Sequence, residues 1–240
     1  MSPEKTMSKR QARRAKRERQ ARMQRLGMIG VIALGALLVA AALILPNLRT
    51  NTEFASRPNA DDNVMGDPDA PITITEYSDY RCSHCGAFVL DTEPLLIKDY
   101  IKTGKVKFVY RSMGGWLSEQ SLLAAEASYC AGEQNKFWEY HDILFANQGA
   151  SLEMTNFMAW AEAVGLDTEA FRKCMDERRY QARADQDAQD GNALGVQGTP
   201  TFFLTYTLDG VEKTRVIQGA QPFESFQQEI DGALADMGIQ

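Results

Sequence analysis

Apolar and polar β-branched residues alternate along residues 72–75, Ile-Thr-Ile-Thr, with the two-residue period of a buried strand. A turn carrying Ser78 and Asp79 follows, and then residues 86–101 read as helical. Alternation returns at residues 105–111, KVKFVYR, after a break at Lys102-Thr103-Gly104, and Gly114-Gly115 closes that unit. From 117 to 190 the apolar residues recur only at helical spacing. Leu122, Leu123, Ala125, Ala127, Tyr129 and Cys130 make one face. Phe137, Trp138, His141, Ile143, Leu144 and Phe145 make a second. Phe157, Met158, Trp160, Ala161 and Val164 make a third, closed by Gly165. The last of these segments, 168–190, is amphipathic early and polar at its end. Residues 201–207, TFFLTYT, alternate again, Asp209-Gly210 marks a hairpin turn, 212–218 runs back, and Pro222 opens a final amphipathic helix to about Met237. The order is strand, helix, strand, helical insertion over about 117–190, hairpin, helix, within a mixed α/β domain spanning 66–240.

The first quarter of the chain is different. Residues 1–25 hold ten Lys/Arg against two Glu, a local +8, which leaves −14 for the rest of a chain whose net charge is −6. Residues 26–45 follow as twenty uncharged residues, about 30 Å of helix at roughly 1.5 Å per residue, the thickness of a bilayer core. This pattern predicts one N-terminal transmembrane helix anchoring the chain in the lipid bilayer. The basic arm stays cytoplasmic and everything beyond residue 45 is extracytoplasmic, so the predicted location is a single-pass cell-membrane protein. A cleavable signal peptide is the rival, with Ala40–Ala42 as small residues for a peptidase, yet the apolar run is longer than the usual signal core and continues past them. A basic arm also suits nucleic acid, and the apolar run beside it decides against that. The polar, aperiodic residues 46–65 read as a linker.

Export gives the four cysteines an oxidising compartment. Cys82-Ser83-His84-Cys85 stands where a strand hands over to a helix, the placement of a dithiol redox site. Cys82 at a helix N-terminus gains from the unpaired N–H groups and the dipole, which favour a thiolate. Cys85 lies one turn on, within reach for a disulfide, and His84 can donate to, or place positive charge near, the Cys82 sulfur. A zinc site needs two more ligands at comparable spacing. Cys130, Cys174, His84 and His141 supply no second C-x-x-C, so no metal is predicted. His141, within FWEYHDILF, reads as a packed helical residue, and the three tryptophans as core.

Cys130 and Cys174 fall on different predicted helices of the insertion. Paired, they close a loop of about 45 residues, worth roughly 4 kcal/mol on the chain-entropy account. The alternative is two buried free thiols. Gly198-Thr199-Pro200 precedes the strand at 201; a proline there is sterically suited to strand initiation.

Three stretches in order, ITITEYSDYRCSHC, CAGEQNKFWEYHDILF and GVQGTPTFFL, resemble the DsbA family of exported thiol–disulfide oxidoreductases, above all its membrane-anchored members. The likeness covers roughly residues 64–238. It implies a thioredoxin-like α/β fold with an α-helical insertion, a nucleophile at Cys82 and a resolving thiol at Cys85. It also implies a cis Pro200 loop facing them, with Thr199 and Pro200 holding the substrate backbone, and a structural disulfide between Cys130 and Cys174. Glu76, six residues before Cys82, matches the buried acid beneath the disulfide, able to take the proton from Cys85. No cofactor is implied. The implied partners are reduced extracytoplasmic polypeptides and a quinone-linked membrane reoxidant of the DsbB or vitamin K epoxide reductase-like type. Many relatives carry Pro-His between the cysteines where this chain has Ser83-His84. The same site run as a disulfide reductase or isomerase is the alternative, and a tethered metal-binding module is a third reading.

Overall fold

The structure is a computed structural model that describes residues 57–239, together with Met23 and Met28. The arm 1–25 as a whole, the apolar run 26–45 and most of the linker lie outside the described residues. Among the described residues no helix is long and apolar enough to cross a membrane.

Five strands form one sheet in the order β1-β3-β2-β4-β5. They are β1 (Val64–Met65), β2 (Ile72–Ser78), β3 (Val106–Ser112), β4 (Thr201–Leu208) and β5 (Val211–Gln218). Strands β2 and β3 are parallel, in register from Ile72↔Val106 to Ser78↔Ser112, and every other pairing is antiparallel. A parallel pair needs a crossover, and the helical stretch α1 supplies it. This helix is composite. α-helical turns at Ser83–Ala87 and Glu93–Leu96 alternate with wider π-type turns at Phe88–Thr92 and Ile97–Ile101. Pro94 has no N–H to return to residue 90, which disfavours an unbroken α-helical ladder there.

Five helices then intervene before the sheet resumes: α2 (Glu119–Gly132), α3 (Phe137–Ala146), α4 (Met154–Ala163), α5 (Thr168–Asp176) and α6 (Gln181–Ala193). Helix α7 (Phe223–Asp236) ends the fold. Ser118 caps α2 by accepting from the Ser121 N–H, and Asp167 caps α5 by accepting from those of Glu169 and Ala170. Cys130 on α2 and Cys174 on α5 are joined by a disulfide, with their Cα atoms 5.9 Å apart.

Side-chain alternation on β2 assigns the two faces. Ile72, Ile74, Glu76 and Ser78 share one face. Phe88 of α1 packs on that side among Phe108, Phe202 and Phe226, which brings α1 and α7 against it. Burying each such ring stabilises the fold by about 1.5–3 kcal/mol. Tyr77 points the other way, towards Phe203, Met113 and α6, where a Cβ on Gly191 would come within 2.8 Å of the Tyr77 ring.

Two readings of the pattern need correction. The linker read as 46–65 is too long, because Val64–Met65 pairs with β3 and the Arg57 side chain is 6 % exposed. A two-residue strand is too short to show a period. The amphipathic stretch 168–190 is two helices, broken where Arg178 takes φ 50° and its guanidinium reaches back to the wholly buried Glu126 at 2.6 Å. Pairing a buried carboxylate outweighs the continuity of an exposed helix.

Candidate active site

The end of β2 departs from strict alternation: Glu76, Tyr77 and Ser78 are all buried. The chain then turns on Asp79, whose carbonyl accepts from the Cys82 N–H at 3.0 Å and whose Oδ1 accepts from the Arg81 N–H at 2.8 Å. The turn places Cys82 as the N-cap of α1, at φ −75° and ψ 118°. An N-cap position faces the free N–H groups of the first turn, and here those of His84 and Cys85 favour the sulfur anion without meeting hydrogen-bond geometry.

The two thiols are free and sit in opposite surroundings. Cys82 is half-buried and Cys85 is fully buried. The Cys82 thiol falls from an ordinary 9.0 to about 5. The hydrogen bond from Cys85 is the largest cause, opposed by burial and helped by Thr199 and the two N–H groups. Burial pushes Cys85 far up, reinforced by its bond to the Cys82 sulfur and by the negative charge of Glu76. One sulfur is a stable anion and its neighbour holds a proton.

Across from them, Cys82 Sγ lies 3.3 Å from the carbonyl oxygen of Thr199, and the Thr199–Pro200 peptide is cis. Residues 197–201, with Gln218 and Gly219, line a cleft of about 220 Å³ that shares Thr199 with this contact. The Pro200 carbonyl accepts from the Gly219 N–H at 2.8 Å, tying the loop to the end of β5.

The helical insertion also reaches the site. Gln148, just beyond α3, donates Nε2–H to the carbonyls of Tyr80 at 2.9 Å and Cys82 at 2.8 Å. Sequence reasoning missed it, because nothing local marks a residue that acts 66 positions away. The one hint is Gly86 immediately after Cys85, where backbone must be approached closely.

Beneath the dithiol lies a group of buried polar residues. Glu76 is fully buried, and neither carboxylate oxygen has a hydrogen-bond partner among the described residues; Ser78 stands near without meeting hydrogen-bond geometry. Burial, then the neighbouring Glu93, pushes the Glu76 carboxyl well above the usual range. Arg57 pairs with Glu93 at 2.9 Å and with Asp142, and stacks 5.1 Å from the Trp138 ring centre. The Asp142 carboxylate also meets Nδ1 of the buried His141 at 3.0 Å. Sequence reasoning placed Arg57 in the linker and so missed its reach into this cluster.

A family model described as Thioredoxin matches residues 59–231. The chain belongs to the thioredoxin family. Its likeness within that family is to the DsbA-type thiol–disulfide oxidoreductases. Disulfide bond formation protein D of Bacillus subtilis is 25% identical over 179 residues, 71% of this chain and 76% of that protein. The solved structure of α-DsbA1 from Wolbachia pipientis has 25% identity and a TM-score of 0.64, covering 75% of this chain and 96% of that one. Oxidised BdbD from Bacillus subtilis gives a TM-score of 0.62 at 25% identity, over 75% and 97%. A Na(+)/H(+) antiporter NhaA 1 from Salinispora arenicola is 35% identical over 144 residues, 60% of this chain. The chain spans about a fifth of the length of that antiporter.

In this DsbA-like fold Cys82, Cys85, Thr199 and Pro200 meet at one point, with Glu76 below. His84 is exposed, and its backbone N–H is among the groups that lower the Cys82 thiol. Cys130 and Cys174 lie apart from the dithiol, in the insertion. Among the described residues no three His, Cys, Asp or Glu side chains group as a metal site.

Proposed function

We propose that the protein is a membrane-tethered dithiol oxidase that passes a Cys82–Cys85 disulfide to folding extracytoplasmic polypeptides. The observation that carries this is the asymmetry of the pair: a half-exposed Cys82 held as a thiolate beside the cis-Pro200 loop, above a fully buried Cys85 held as a thiol. A pair that stabilises its own reduced form is a disulfide donor.

A substrate thiolate attacks Cys82 Sγ and forms a substrate–Cys82 disulfide while the Cys82–Cys85 bond breaks. Cys85 Sγ leaves with the electron pair and takes the proton of the Glu76 carboxyl. A second substrate thiolate then attacks the substrate sulfur, the substrate disulfide forms, and Cys82 departs as a stabilised thiolate. Two electrons pass from substrate to enzyme. The extended substrate segment lies in the cleft beside Thr199 and Pro200. A membrane reoxidant of the DsbB or vitamin K epoxide reductase-like type takes the electrons onward.

The basic arm followed by twenty uncharged residues supports a single anchor at 26–45, with the cytoplasm on the arm's side and the DsbA-like domain outside. The test is capture of intermediates in cells. A Cys85→Ser form of the full chain should accumulate mixed disulfides through Cys82 with exported proteins, released by reductant. Absence of such adducts, with the protein present and folded, rules out the reading.

A further inference from the structure

Buried polar atoms are almost always hydrogen-bonded, so a cluster without partners calls for a reason. Such atoms gather between Glu76 and the far side of α3. Glu76 stands directly across from Tyr110 in the β2–β3 register, and side chains of paired residues share a face. The Tyr110 and Tyr80 rings stack with centres 5.3 Å apart, their hydroxyls near each other without hydrogen-bond geometry, and both are buried with no hydrogen-bond partner among the described residues. His141 completes the group, its ring 5.2 Å from Tyr110 and 5.8 Å from Tyr80. One ring nitrogen, Nδ1, meets Asp142 at 3.0 Å; the other, Nε2, is buried with no partner among the described residues. The Asp142 side chain is 16 % exposed, so the line ends at solvent.

We propose that Glu76, the Tyr110 and Tyr80 hydroxyls, His141 and Asp142 form a proton route between Cys85 and the surface, bridged by buried water, with His141 as its relay residue. Buried waters make about three hydrogen bonds to polar groups of this kind. An imidazole with a carboxylate on one nitrogen can accept at one side and release at the other. The charged groups facing the route are Asp142 on α3, Arg57 from the segment before β1 and Glu93 on α1. Arg57 pairs with both carboxylates and holds that end fixed.

The proposal rests on the oxidase reading, because it supplies what that cycle demands. When Cys85 leaves the disulfide it takes the Glu76 proton, and the buried carboxylate that remains draws a replacement from solvent. Before Cys85 can attack again to regenerate the disulfide, its thiol proton passes to Glu76, whose own proton must first have left. Each redox cycle therefore moves one proton in and one out through a site that Cys82 and α1 cover. Cys82 needs no such route, being half-exposed.

The test uses the full chain in detergent. Tyr80→Phe/Tyr110→Phe removes only the two hydroxyls, and His141→Phe removes the ring nitrogens while keeping an aromatic ring. Stopped-flow fluorescence follows the attack of Cys85 on a Cys82–glutathione disulfide in H2O and D2O; iodoacetamide alkylation reports Cys82 alone. The proposal predicts at least a tenfold slower Cys85 step with a larger solvent isotope effect in both variants, and Cys82 alkylation within twofold of wild type. An unchanged Cys85 step in the folded double variant overturns it, as does equal slowing of both reactions, which marks a structural role. If His141→Phe does not fold, the double tyrosine variant decides alone. Failure of the wild-type chain to form the glutathione disulfide reversibly overturns the oxidase reading itself.

Discussion

A Cβ built on Gly86 would lie 2.2 Å from Oε1 of Gln148, so the glycine after the C-x-x-C is the opening through which the helical insertion grips the active-site turn. Gln148 uses that opening to donate to the Tyr80 carbonyl and, beside the Gly86 N–H at 3.1 Å, to the Cys82 carbonyl. Gly86→Ala should expel the amide. Two hydrogen bonds at about 1 kcal/mol each predict a drop of roughly 4–8 °C in Tm. Gln148→Ala should cost as much, and the double variant little more, because one interaction is lost in each case. Thermal melts of the three forms check this; an additive double variant contradicts the shared contact.

The Cys82 anion should be visible by its thiolate absorbance near 240 nm. Reduced protein should titrate near pH 5, and Cys85→Ala should move that midpoint upward, since it removes the donor that makes the largest stabilising contact. The linkage has a defined sign. A thiol whose folded value is depressed from 9.0 to about 5 stabilises the reduced fold fully above pH 9, and the gain is lost as pH falls through 5. The disulfide form has no such group. Reduced and oxidised melting temperatures should therefore draw together on acidification from pH 9 to 5, and parallel curves would refute the assignment.

Glu76 carries the opposite sign. A buried carboxyl raised above its ordinary 4.5 contributes its stability below that pH, and loses it as pH rises towards the folded value. Glu76→Gln should flatten this slope and raise Tm at neutral pH. It should also slow the Cys85 step about 10²-fold, the lower end of general acid–base contributions, while sparing Cys82 alkylation. Denaturant titrations across pH 4–8 and the stopped-flow assay provide the check. A lower Tm at pH 7 would show that the carboxylate is charged and paired.

Cys130→Ala/Cys174→Ala should cost about 4 kcal/mol, because the bond closes a loop across a sequence separation of 44. The Cys82–Cys85 potential should not move, since the bridge ties α2 to α5 within the insertion. Urea unfolding read beside a glutathione equilibrium separates the two effects.

Local pattern carried most of the fold. The period-two runs at 72–75, 105–111 and 201–207 became β2, β3 and β4, and Asp209-Gly210 is the turn, with φ 53° and 74° at the two residues. The elements that escaped are those decided at long range. Strand β1 exists only because β3 offers it an edge, and the break at Arg178 only because Glu126 is buried on another helix. The same division holds for the site. The C-x-x-C and its strand-to-helix setting lie within a few residues of one another. Gln148, Arg57, Tyr110 and His141 reach it from elsewhere in the chain, and Gly86 is the one local sign of any of them. His141 reads as packing because its neighbours are aromatic, and it is buried among them; a ring nitrogen without a partner among the described residues sets it apart.

The reduction potential of the Cys82–Cys85 couple, equilibrated against glutathione with the full chain in detergent, tests the central claim most directly. The account predicts a value towards about −120 mV, the range of DsbA, because the Cys82 thiolate stabilises the reduced form. A value near about −270 mV, as in thioredoxin, would contradict it and make the site a reductase.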